Sequence, residues 1–159
     1  MNCLKSLEEI KLICSALKAD NKKVVFTNGC FDLIHAGHID YLNKAKALGD
    51  VLIVGLNSDD SVKRINGEKR PIINEDERAE IISNIKPVDY VVLFDEDTPA
   101  ELIKELVPDI LIKGADWKID KIVGAGTVLA NGGEVKTIEF INDQSTSKII
   151  DLITSRYSK

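Results

Sequence analysis

His35 and His38 are the chain's only two histidines, and they fall in one four-residue string with Gly37 between them. An imidazole at a helix start can donate a hydrogen bond to a phosphate oxygen. The free N–H groups there attract anions as well. The surrounding residues read Thr27-Asn28-Gly29-Cys30-Phe31-Asp32-Leu33-Ile34-His35-Ala36-Gly37-His38. An apolar run, Val24-Val25-Phe26, leads in, and a helical pattern from Ile39 to Leu48 leads out. A strand, a glycine-containing turn and a helix start therefore carry the two rings. Gly37 is expected to let a nucleotide approach the backbone closely. This spacing reads as a nucleotide-phosphate site. The plainer reading is a pair of capping side chains.

Other common chemistries lack their residues. There is no GxGxxG after the first strand, no GxxxxGK[ST] and no GxSxG. The three cysteines, Cys3, Cys14 and Cys30, are odd in number and have no CxxC spacing, which argues against a disulfide framework or a zinc site. A reducing cytoplasm fits them. Residues 1–20 carry Lys5, Glu8, Glu9, Lys11 and Lys18 and do not read as a signal peptide. No apolar run approaches the ~18 residues that span a bilayer. A net charge of −5 argues against a nucleic-acid binder. Basic residues nevertheless cluster at Lys63, Arg64, Lys69, Arg70 and Arg78.

The elements that must position these groups alternate along the chain. Ser6 and Glu9 form a capping-box pattern for a helix over 6–19, packed on the outside. A strand over 23–28 follows, then a helix from near Gly37 that stops at Gly49. The apolar run 51–56 reads as a strand buried on both faces. A helix over 58–65, a basic loop through Pro71 and a helix over 75–86 capped by an Asn74/Glu77 box come next. Then come a strand at 89–94 and a helix at 99–106, with Thr98 as cap and Glu101 as box residue. A strand at 110–112, a helix near 120–131, a strand at 135–140 and a helix at 147–157 complete the chain. With 44% hydrophobic and 30% charged residues, 159 residues are expected to form one domain. The pattern predicts a Rossmann-like, doubly wound α/β fold with a five-stranded parallel sheet. Ligands in such sheets sit beyond the carboxyl ends of the strands. The polar clusters at 27–38, 57–59, 113–117 and 142–147 all fall there.

The string Asn28-Gly29-Cys30-Phe31-Asp32 followed by His35-Ala36-Gly37-His38 resembles the signature of the cytidylyltransferase-like nucleotidyltransferases. Cys30 replaces their usual threonine. Ser145-Thr146-Ser147-Lys148 looks like the family's second signature, with Lys148 where some relatives carry arginine. The plainer reading of the hydroxyls is N-capping. Within the superfamily, Asn57-Ser58-Asp59, Arg70-Pro71, Arg78, Lys113-Gly114-Ala115-Asp116 and Asn131-Gly132-Gly133-Glu134-Val135 resemble the adenylyltransferase domain of ADP-heptose synthases.

That resemblance implies transfer of AMP from ATP to D-glycero-D-manno-heptose 1-phosphate, releasing pyrophosphate, for lipopolysaccharide core or surface glycans. It also implies Mg2+ bridging the phosphates and a homodimer. Those synthases are bifunctional, and 159 residues leave no room for their kinase domain, so a separate heptose kinase is expected. His35 and His38 would stabilise charge on the phosphates, starting from an imidazole pKa near ~6.5. Arg78 would contact phosphate, its plainer role being a surface ion pair with Glu75 or Glu77. Lys69 and Arg70 would close over the phosphates from their loop, whereas Lys63 and Arg64 can also be read as a solvated helix face. Thr27, Asn28, Gly29, Cys30, Phe31 and Gly37 would line the nucleotide pocket. Lys113, Gly114 and Asp116 would lie by the nucleobase and second substrate, and Ser145, Thr146 and Ser147 by the triphosphate. Trp117 could stack on a ring or simply pack. Asp32 reads as structural, Cys30 as a small buried residue, and Asp59 and Asp60 as weak metal candidates. Rival readings are a cytidylyltransferase for glycerol-3-phosphate or ethanolamine-phosphate, an FAD synthetase, and a non-catalytic nucleotide sensor. A flavodoxin-like carrier is disfavoured by 5% aromatic residues.

Overall fold

The computed structural model describes residues 3–140 and 145–158. Its centre is a parallel sheet of six strands: β1 (Leu4–Lys5), β2 (Val24–Gly29), β3 (Val51–Asn57), β4 (Tyr90–Phe94), β5 (Ile110–Gly114) and β6 (Glu134–Ile138), in the order β1-β4-β3-β2-β5-β6. The sequence predicts five strands. The sixth is the two-residue edge strand β1, which pairs Leu4 with Val91 and is too short to show any alternation. In β2, Val24, Val25, Phe26 and Thr27 are all buried, because helices cover both faces of the sheet. β2 pairs with β3 on one side and β5 on the other, so chain order reverses at β2. That switch point opens a crevice beyond the strand ends.

Among the described residues there are seven α-helices: α1 (Leu7–Ala19), α2 (Ala36–Lys46), α3 (Asp59–Asn66), α4 (Glu75–Ser83), α5 (Ala100–Leu106), α6 (Ala125–Ala130) and α7 (Thr146–Tyr157). One core layer joins Tyr41, Leu42, Ala45, Ala79 and Ile82 to the sheet; the other joins Ile10, Cys14, Leu102, Ile103, Leu106 and Val128 to its opposite face. The Ser6–Glu9 capping box is present in both directions, at 2.8 and 3.3 Å.

Several boundaries differ from expectation for local reasons. α2 ends at Lys46, before Gly49. A Cβ on Gly49 would lie 2.6 Å from the Val25 side chain and 2.8 Å from Lys23 O, so this glycine serves a close approach and not a helix cap. Asn74 caps α4, but the Glu77 carboxylate accepts from the Asn74 side-chain amide, so the box is not closed. Thr98 does not cap α5: the cap position is Pro99, which makes no side-chain cap bond. The helix expected near 120–131 is a short 3-10 turn at Ile119–Lys121 and then α6, divided at Gly124 with φ 85°. β6 ends at Ile138, two residues earlier than expected. No described helix is long and apolar enough to cross a membrane.

Candidate active site

The end of β2 turns sharply at Phe31, whose φ of 46° is left-handed. This turn folds the Phe31 ring back over Gly29, where a Cβ would lie 3.0 Å from the ring. His35 then takes the N-cap position of α2 in extended conformation. The His35 and His38 rings lie with centroids 3.9 Å apart and planes tilted by 31°, and Phe31 lies 5.3 Å from His38. His38 Nδ1 accepts from the His35 backbone N–H at 3.4 Å. That bond holds neutral His38 in the tautomer with hydrogen on Nε2, leaving a donor for the cavity that His38 lines.

Both rings depart from the expected imidazole pKa near 6.5. Burial, with a smaller contribution from neighbouring His35, pulls His38 down to about 4, and burial lowers His35 too. At neutral pH the pair is uncharged in the free protein. Gly37 also differs: a Cβ there would lie 3.0 Å from the His35 ring, so its space is taken by the imidazole and is not left open to a nucleotide.

Two cavities meet at the strand ends. The first, about 180 Å³, is bounded by Phe31, His38, Tyr41, Gly114, Asp116 and Phe140. The second, about 260 Å³, is bounded by Asn57, Ile65, Asn66, Thr98, Pro99 and Val123. Asn28, Gly29, Cys30, Lys113 and Trp117 line both and form the wall between them. A Cβ on Gly114 would collide with the Phe140 ring and the Asp116 carboxylate, so any larger residue there must displace both side chains. Trp117 is half exposed over this wall and lies 5.7 Å from the Lys113 ammonium. Cys30 Sγ accepts from Asn66 Nδ2 at 3.4 Å, and burial raises its thiol pKa.

Thr27 does not line the pocket. It is wholly buried and donates to Ile112 O at 3.1 Å, so Tyr41 must donate the 2.7 Å bond between the two hydroxyls. Its role is to fix Tyr41, which stacks on Phe140 at 5.3 Å and does line the pocket. Tyr41 was legible: it lies one turn after His38 on the same helix face. Phe140 had only the strand-end rule to mark it.

The cations rearrange most. Arg78 does not project toward a phosphate, nor does it pair with Glu75 or Glu77. It is fully buried and donates to Ile73 O at 2.9 Å, Cys30 O at 2.6 Å, Asn57 O at 2.9 Å and Asp59 Oδ1 at 2.7 Å. These bonds tie the ends of β2 and β3 to α4. Arg70 bonds the buried Asp32 carboxylate at 2.6 Å, and Asp32 also accepts from the Ile72 and Ile73 N–H groups at 2.9 Å. Burial would raise the Asp32 pKa, but those donors outweigh it and hold the carboxyl below its usual value. Asp32 thus anchors the basic loop. Lys63 pairs with Asp60, and Arg64 with Asp97, on a solvated face. Lys69 is exposed on the loop.

Ser145 caps α7 by accepting from Lys148 N, Thr146 donates to Leu33 O at 3.4 Å just before the histidine string, and Ser147 is exposed. None of the three lines either cavity. Residues 142–144 of the same cluster lie outside the described residues. Asp59 is engaged by Arg78 and Asp60 by Lys63, and no group of three metal-ligating side chains stands together among the described residues.

Residues 26–152 match the cytidylyltransferase-like family. The chain belongs to that family. Bifunctional protein HldE of Citrifermentans bemidjiense is 53% identical over 154 residues, which is 97% of this chain and 32% of that protein. HldE of Campylobacter jejuni is 56% identical over 153 residues, again 32% of its length. This cytidylyltransferase-like chain therefore spans about a third of the curated relatives it matches. A crystal structure of the lipopolysaccharide core biosynthesis protein of Thermoplasma volcanium is 35% identical, with TM-score 0.63, over 77% of this chain and 99% of that one. Pantoate-beta-alanine ligase of Francisella tularensis, solved with Beta-gamma ATP and beta-alanine, is 13% identical with TM-score 0.64, over 92% of this chain and 69% of that one. It shares the fold.

Proposed function

We propose that the chain transfers AMP from ATP to D-glycero-D-manno-heptose 1-phosphate, giving ADP-heptose and pyrophosphate for lipopolysaccharide core or another surface glycan. The observation that carries this reading is the His38 ring at the start of α2, which lines the first cavity while its Nδ1 is taken by the His35 N–H, so that Nε2 is left to donate. In the proposed reaction a sugar phosphate oxygen attacks the α-phosphorus. The new O–P bond forms as the bond to the β-phosphate bridge breaks, and the electron pair leaves with pyrophosphate. The acceptor is a dianion, so no proton must be removed from it. His35, His38 and the first N–H groups of α2 would stabilise the charge that builds, by position and not by covalent chemistry.

The two-cavity layout suits two substrates. We place the nucleotide beside His38, Tyr41 and Phe140, whose rings offer stacking surface. The acceptor belongs in the second cavity, where Asn66 and Thr98 offer polar groups to a sugar. Lys69, from its exposed loop, and Ser145, Thr146 and Ser147, beside the histidine string, remain candidates for phosphate contact once ligands bind. Mg2+ would enter with the triphosphate and neutralise part of its charge. With no cluster of metal-ligating side chains among the described residues, phosphate oxygens and water would supply its ligands. We further propose a cytoplasmic homodimer, with a separate kinase supplying the heptose 1-phosphate.

Pyrophosphate release with each of ATP and CTP, against heptose 1-phosphate, glycerol 3-phosphate, ethanolamine phosphate and FMN, tests the reading. Release with ATP and the heptose alone is expected. Turnover of CTP with an alcohol phosphate, or tight ATP binding with no turnover of any acceptor, would replace it by a cytidylyltransferase or a nucleotide sensor.

A further inference from the structure

We propose that Lys113 is the residue that grips the acceptor's phosphate, holding a phosphomonoester at the join between the two cavities. This rests on the adenylyl-transfer reading but names a contact that the reading does not contain. Lys113 is placed near the end of β5, paired in register with Thr137 of β6, and its side chain reaches into the wall shared by both cavities. Whatever joins the two compartments during transfer must pass this wall. A sugar phosphate lying in the second cavity with its oxygen on the α-phosphorus in the first does so.

The cation there is unmatched. Arg78, Arg70, Arg64 and Lys63 are each held by a carboxylate. Among the described residues the Lys113 ammonium makes one long hydrogen bond, 3.4 Å to Asn28 O, and one contact over the Trp117 ring. A half-buried ammonium with so little to compensate lost water is a strong receiver for a dianion. A second observation falls on the same wall. Asn28 Oδ1 is buried with no hydrogen-bond partner, although native side chains rarely leave such an atom empty. An acceptor bearing both phosphate and hydroxyl groups would satisfy the two at once: the phosphate on Lys113, and a hydroxyl on Asn28 once its side chain turns to present Oδ1.

The titration of Lys113 agrees with this placement. Burial brings its pKa down to about 8, opposed only weakly by Cys30 and Asp116. The other titratable groups lining the two cavities are His38, neutral above about 4, Tyr41, whose phenol burial pushes further up, and Asp97. Above pH 8 the free protein therefore loses the positive charge that would attract the acceptor. A bound dianion restores it by raising the pKa.

The test compares wild type, Lys113→Met and Lys113→Arg for folding by thermal melts, ATP binding by calorimetry, and sugar 1-phosphate binding and KM in the presence of ATP or a non-hydrolysable analogue. The expected result is a 10- to 100-fold weaker sugar phosphate in Lys113→Met, with ATP affinity within about threefold of wild type. Wild-type acceptor affinity should fall as pH rises through about 8, and Lys113→Arg, whose charge is permanent, should not show that fall. Equal losses of ATP and acceptor affinity, or no loss of either, would overturn the role. If wild type releases no pyrophosphate with heptose 1-phosphate, the adenylyl-transfer reading fails. Lys113 is then judged by direct binding of hexose 1-phosphates and inorganic phosphate. Binding that disappears in Lys113→Met keeps the grip and changes only the substrate. Binding that persists in Lys113→Met removes both.

Discussion

His38 is neutral in the free protein because its ring is largely withdrawn from water, next to a second imidazole. A neutral donor can still stabilise a developing oxyanion, and loss of one such donor costs roughly 2.7–4 kcal/mol of barrier. His38→Ala is therefore expected to lower kcat for pyrophosphate release on the order of 10²–10³-fold with an unchanged circular dichroism spectrum. A near-native kcat would take the histidines out of the chemistry. The same burial has a stability consequence of definite sign. The unfolded ring titrates near 6.5 and the native one at about 4, so between those values the unfolded chain binds a proton that the native state refuses. Stability is full above about pH 6.5 and falls as pH drops toward 4. Thermal melts across that window should show a shallower acid slope in His38→Gln than in wild type. His35, lowered in the same direction, keeps part of the slope. An identical slope would mean that His38 is accessible to protons in the native state.

At the scale of elements, Arg78 shows what a residue's type can hide. An arginine after a basic loop reads as a phosphate ligand, yet α4 turns it inward, where it joins Cys30 O, Asn57 O and Asp59 at the ends of β2 and β3. Replacing it by methionine leaves a carboxylate and three carbonyls facing an apolar side chain. Breaking a buried pair costs about 3–5 kcal/mol, so a fall in Tm on the order of 10 °C is expected. Arg64→Met, on the solvated face of α3, should melt within a degree or two of wild type. An unshifted Tm with lost activity would instead return Arg78 to the phosphate. The contrast explains which parts of the fold were legible. Strands β2 to β6 and the capped helices announce themselves through local patterns: continuous apolar runs, and Ser6 with Glu9. The histidine string and the wall residues Asn28, Gly29, Cys30 and Lys113 follow from the strand-end rule. What stays hidden depends on distant partners. β1 exists only because β4 offers an edge, Gly49 answers to Val25 and Lys23, Thr27 serves Tyr41 from below, and Arg78 has four acceptors drawn from three segments.

At the scale of the whole molecule, α7 is the element the fold supports least. Its 12 residues include none that is buried, while Leu152 and Ile153 are half exposed and Tyr157 is 79% exposed. Helices of about 12–15 residues or fewer are marginal in water without tertiary packing of an apolar face. Ser145 supplies a cap and Thr146 a long hydrogen bond to Leu33, but these act only at the first turn. The homodimer proposed above offers the missing cover if a second copy lies against α7. Because α7 begins beside the histidine string, such a dimer would also steady the mouth of the first cavity. Sedimentation velocity at rising concentration is expected to show a dimer for wild type and a monomer for the double variant Leu152→Glu, Ile153→Glu. The monomer should keep the sheet, and so its main melting transition, but lose helical signal and bind ATP more weakly. A wild-type chain that stays monomeric at high micromolar concentration, or a double variant that dimerises as before, would exclude α7 as the contact between copies.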